Sequence, residues 1–201
     1  MAQTSTTLSG QYAHKTDVTG TDISFVVTSG VYKITSTSTS LNKFAVRDLI
    51  TISGTTNNNK TFTVKTVTSE NELIVEELVT AEASDGSTIL TLDHAGFVTD
   101  KAKGDGYYSK PDGIHTVVYS LINRGDSTDD FLGTCIMQGS LATTPTETDW
   151  FNISETAYTS DQSTITSSFN FTGNFVWVRA KVTCTNLTGN GAMIRSILIN
   201  N

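Results

Sequence analysis

Short runs in which apolar residues alternate with hydroxyl-bearing ones recur roughly every 8 to 12 residues along this chain, the spacing of strands in sandwiches and barrels. No stretch of a dozen residues places apolar side chains at i, i+3, i+4 and i+7. Side chains on a strand alternate between two faces, whereas those on a helix return every 3.6 residues. The pattern therefore restricts the chain to an all-β fold. It is clearest in Thr61-Phe62-Thr63-Val64-Lys65-Thr66-Val67, where Phe62 and Val64 share one face and Thr61 and Thr63 the other. Composition points the same way: Thr and Ser make up roughly 28% of the chain and charged residues 16%. Thr is β-branched and suits a pleated, half-wetted surface.

Strands are expected over 23–28 and 31–36, joined by Ser29-Gly30, and over 49–53 and 61–67, joined by the polar loop Gly54 to Lys60. Two more, at 73–77 and 88–92, complete a first set. The glycines at 96, 104 and 106 then mark a change of character. A second set follows at 114–122, 134–138, 150–153, 168–171, 175–182 and 193–199. Ile114 to Ile122 is apolar in both phases and reads as a strand buried on two faces. The expected organisation is an N-terminal arm over 1–20, a small β-barrel or two-sheet unit over 21–95, a linker over 96–104, and a jelly-roll-like β-sandwich over 105–201. The arm is too polar to bury much surface alone; either it is mobile in the monomer and orders against a neighbouring subunit, or Tyr12 and Val18 cap the first β unit.

A net charge of −7, with 13 basic residues scattered among 20 acidic ones, argues against a general nucleic-acid footprint. No apolar run is long enough to span a membrane. The first ten residues lack the apolar core of a secretion signal, so synthesis in a cytosol is expected. Cys135 and Cys184 stand in strand-like surroundings and read as buried thiols.

No catalytic constellation emerges. His14, His94 and His115 lie far apart in sequence, without metal-ligand spacing. The first two are expected at the surface and His115 in a packed position at a strand start. Gly104-Asp105-Gly106 is followed by residues that cannot open a phosphate-binding helix. Asp126, Asp129 and Asp130 lack the Gly and Glu of a calcium loop and read as a solvated turn. Trp177 sits among apolar strand neighbours and is expected in the core. Tyr107 and Tyr108 are the candidate exposed contacts for a partner or ligand. No enzyme activity, cofactor or metal is expected.

Two sets of motifs resemble known proteins. Phe44 to Gly54, followed by Asn57-Asn58-Asn59-Lys60-Thr61-Phe62-Thr63-Val64, is similar to a small β module frequent in phage structural proteins. That module usually has a Gly-Asp turn before an Ile-x-Ile strand and Asn-Asn-Gly in the hairpin; here Arg47 stands in place of the Gly, and Lys60 follows the asparagines. The stretches Gly104 to Gly113, Gln138 to Phe151 and Asn170 to Arg179 resemble virion structural proteins of contractile-tailed marine phages, notably cyanophages. The resemblance implies a non-enzymatic virion component, either a head-exterior decoration or a neck- or tail-associated part. Its implied partners are other virion proteins and copies of itself, with no nucleic acid and no membrane. A host-surface glycan-binding module of the tail or fibre is the alternative.

Overall fold

The computed structural model describes residues 5–110, 113–122, 130–184 and 192–200. Among these residues sixteen strands follow one another. The first nine are β1 (Ser5–Ser9), β2 (Tyr12–Ala13), β3 (Val18–Gly20), β4 (Ser24–Thr28), β5 (Val31–Thr35), β6 (Asp48–Ser53), β7 (Thr61–Ser69), β8 (Glu72–Val75) and β9 (Leu90–Val98). The others are β10 (Ala102–Lys103), β11 (Ile114–Leu121), β12 (Gly133–Ser140), β13 (Phe151–Thr159), β14 (Thr166–Thr172), β15 (Trp177–Cys184) and β16 (Ala192–Asn200). The fold is all-β, as the alternation requires. Contacts divide the chain into two units. One is Lys15–Phe97; the other takes the flanking segments, up to His14 and from Val98 onward.

In the unit Lys15–Phe97 the antiparallel order is β3-β9-β6-β7-β8-β5-β4. β7 changes partner along its length: Thr61 to Thr63 pair with β6 and Val64 to Ser69 with β8. The inward phases of these strands supply Phe25, Ile34, Ile50, Ile52, Phe62, Leu73 and Leu92 to one core. The β4–β5 hairpin turns on Ser29 (φ 51°) and Gly30 (φ 76°), the paired positive φ of a tight two-residue hairpin turn.

Asp48 explains the turn before β6. Its carboxylate is fully buried, accepts the Ala45 N–H at 2.7 Å and pairs with the Lys15 ammonium. His94 Nε2 lies 3.7 Å away. His94 was expected at the surface but is 2% exposed, because it holds the same inward phase of β9 as Leu90 and Leu92. Its Nδ1 accepts the Lys15 N–H and its own N–H donates to Asp17. His14, also expected outside, is buried. The expected linker is corrected as well. β9 runs on to Val98 because Gly96 (φ 127°) absorbs a register shift against β6, and Phe97 and Val98 are buried. β10 then pairs with β15.

The other unit has two sheets. One runs β1-β16-β11-β14 with β2 also on β16; the other runs β13-β12-β15 with β10 on β15. Thus the N-terminal segment expected as an arm supplies β1 and β2 to this unit and β3 to the other. Tyr119 links the two sheets of this unit, its hydroxyl donating to the Thr156 carbonyl across the core at 3.1 Å. Val117, Leu121, Met137, Val178 and Val182 are buried in the same unit. β11 is interior to its sheet yet has only one buried face, which carries His115, Val117, Tyr119 and Leu121. Ile114 is 68% exposed. Cys135 and Cys184 are buried free thiols, and burial pushes the Cys135 thiol well above its ordinary range. Asp126 and Asp129 lie outside the described residues; Asp130, expected in a solvated turn, is 1% exposed.

Candidate functional site

Phe175 organises one end of the two-sheet unit. Gly139 and Gly173 face its ring so closely that a Cβ on either would collide with it. Gly104 and Gly106 press backbone to backbone against Asn174 and Phe175, where any side chain would also collide. Their N–H groups donate to the Val176 and Phe175 carbonyls at 3.0 and 2.9 Å. The glycines of the Gly104-Asp105-Gly106 motif thus permit close approach to the backbone of the connection between β14 and β15. Asp105 accepts the Gly113 N–H at 3.1 Å and lies 3.8 Å from Nε2 of the fully buried His115. His115 Nε2 is also 3.3 Å from the Gly173 carbonyl, which gives this histidine the packed place expected of it.

These anchors hold a short 3-10 turn, Asp105–Tyr108, which closes with Ser109 in the left-handed region. The turn presents Tyr107 and Tyr108, 42% and 54% exposed, with ring centroids 5.3 Å apart. Tyr107 packs 4.9 Å from Trp177. Trp177, expected in the core, is only half-buried: as the first residue of β15 it faces this turn, and its indole N–H donates to the Thr143 carbonyl at 3.0 Å. Three ammonium groups cover the rings. Lys101 stands 4.4 Å from the Trp177 centroid, Lys103 4.2 Å from Tyr107, and Lys110 5.0 Å from Tyr108. Such cation–π contacts hold flexible lysines in defined places.

A groove of about 430 Å³ opens beside Tyr108. The three lysines line it together with Asp100 and Asp105, and β1 closes it with Thr6, Thr7 and Leu8. Around the same end, Ile114, Leu141 and Phe151 are 68%, 65% and 44% exposed. Register places Phe151, at the start of β13, opposite Gly139, with Leu141 just after β12, while Ile114 starts β11 in the other sheet, opposite Thr172. Arg179 fixes the intervening loop through paired 2.7 Å bonds to Glu147, a bond to Gln138, and its stack on Trp150 at 4.2 Å.

Tyr107 and Tyr108 are exposed, as the sequence led one to expect, whereas the sequence did not single out Trp177 or the lysines beside them. Lys101 and Lys103 are two apart, so a strand places them on one face; nothing in the pattern placed β15 beside them. Compared with known proteins, the chain matches no family model, no curated protein and no solved structure.

Proposed function

We propose that this chain is a non-enzymatic structural component of a tailed-phage virion, made in the host cytoplasm and carried on the head exterior or at the neck or tail. One observation carries the reading: the three separate stretches that resemble marine phage virion proteins converge around Phe175. Gly104 and Gly106, then Gly139, then Gly173 pack against that single residue. The sequence features behind the resemblance thus build one surface, and that surface is rich in exposed apolar side chains. Exposed apolar side chains on soluble proteins mark contact sites where they gather, and the exposed Leu141, Phe151, Tyr107 and Tyr108 support reading this end as a docking face for other virion proteins or for copies of the chain. The net charge of −7 disfavours DNA as the partner.

Quantitative protein analysis of purified particles tests the proposal. Hundreds of copies per virion would assign the chain to the head or tail lattice, and about a dozen or fewer to the neck or baseplate. Absence from particles would refute it. A second reading, a glycan-binding adsorption module, is favoured by the half-exposed Trp177 in contact with Tyr107. Retention of the full-length protein on a panel of surface glycans would support that reading.

A further inference from the structure

We infer that the groove beside Tyr108 is a binding site for an acidic saccharide, one bearing carboxylate or sulfate groups; this rests on the adsorption reading. At about 430 Å³ the groove falls within the range of small-ligand sites. Its basic groups are concentrated, since Lys101, Lys103 and Lys110 fall within ten residues of a chain with 13 basic residues and a net charge of −7. Each ammonium is already held over an aromatic ring, so less side-chain entropy is lost when a ligand arrives.

The remaining lining selects among anions. Asp100 and Asp105 place carboxylates in the same groove, and Thr6 and Thr7 add hydroxyls from the opposite wall. A polyacidic peptide brings further negative charge towards those carboxylates. A sugar acid brings hydroxyl donors to them while its anionic group meets the lysines. The exposed Tyr108 offers an apolar surface for the C–H face of a sugar ring. Since β1 forms one wall, the site depends on the N-terminal segment lying against β16.

The test uses the full-length protein on an array of carboxylated, sulfated and neutral oligosaccharides. Titrations then follow Trp fluorescence with trigalacturonate, neutral galactotriose and a hexaglutamate peptide. The expected result is retention of acidic members of the array, with trigalacturonate bound at least about tenfold more tightly than galactotriose. K103Q and K110Q should each weaken binding about tenfold, the size of one lost charge-assisted hydrogen bond. Y108A should also weaken it, whereas K43Q, on an exposed turn of the other unit, should not. Thermal melts of the variants are expected to match wild type, so lost binding is not lost folding. Retention of no acidic saccharide, equal binding of the neutral sugar, or equal binding of hexaglutamate would each overturn the inference. Incorporation into particles without sugar binding overturns this inference alone; absence from particles overturns the virion proposal and leaves the sugar result standing.

Discussion

Arg47 and Gln162 occupy backbone that favours glycine. Their φ angles are 73° and 57°, in the left-handed region, where a Cβ crowds the following carbonyl. Arg47 stands in the turn before β6, where the backbone takes positive φ and the Arg47 N–H reaches the Val64 carbonyl at 2.7 Å, a place that Gly would fill without strain. Gln162 has an internal comparison. Asp161-Gln162-Ser163-Thr164 and Asp85-Gly86-Ser87-Thr88 form the same loop, in which the aspartate accepts the Ser N–H, the Thr N–H and the Thr hydroxyl. Gly86 takes φ 72° without a Cβ. Gln162→Gly is therefore expected to stabilise the protein by about 0.5–1 kcal/mol, strain relief exceeding the entropy cost of glycine. An unchanged or lower urea midpoint would show that the loop tolerates the side chain without strain.

At the scale of elements, the β12–β13 ladder depends on one hydroxyl. Between the pairs Met137–Ile153 and Cys135–Tyr158 the register shifts, and Thr156 falls inside the irregularity, fully buried. Its hydroxyl accepts the Met137 N–H at 2.9 Å and donates to the Ile153 carbonyl at 2.7 Å. Thr156→Val keeps the shape but strands a buried N–H, and should cost about 1–3 kcal/mol; Thr156→Ser should stay close to wild type in thermal unfolding. Equal losses in both variants would point to packing instead. Nothing in Ser154-Glu155-Thr156-Ala157 announces such a role. The strands that could be read were those with strong alternation: β4 to β8, β11, β12 and β14 to β16 fall within a few residues of the expected ranges, while β9 and β13 begin as expected and run six residues further, to Val98 and Thr159. The exceptions, β1, β2, β3 and β10, are short and polar, and their partners β16, β9 and β15 lie 70 to 200 residues away or nearly so, a long-range pairing with no local signature. Trp177 was misplaced for the same reason. Its apolar neighbours along β15 indicate a buried strand, while its position at the strand end, beside a turn about 70 residues earlier in sequence, decides its exposure.

Across the whole molecule, abundant Ser and Thr serve the aspartates. The Asp22 carboxylate accepts the hydroxyls of Thr37, Ser38 and Thr39 and the N–H groups of the same three residues. The Thr39 hydroxyl, followed by the Ser38 and Thr39 N–H groups, holds Asp22 far below the usual carboxylate range. The Thr88 and Thr164 hydroxyls, with nearby backbone N–H groups, do the same for Asp85 and Asp161. A carboxyl whose folded-state pKa is depressed adds stability in full above its unfolded-state pKa, about 4, and loses it as pH falls towards the folded value. Asp93 acts in the opposite sense, raised by burial and by the neighbouring Asp17, but among the described residues it is one group against five, since Glu82 and Asp149 are lowered as well. The urea midpoint is therefore expected to show little contribution from these loops between pH 7 and pH 5, then to fall steeply below about pH 4. Asp22→Asn should start below wild type at neutral pH, and the gap should narrow as pH falls below about 4 without closing by pH 2.5, because the folded wild-type carboxylate is still ionised there while its unfolded counterpart is protonated. A midpoint level down to pH 2.5, or a gap at pH 2.5 as wide as at pH 7, would show that these loops are held by their backbone turns and not by the charge on the aspartates.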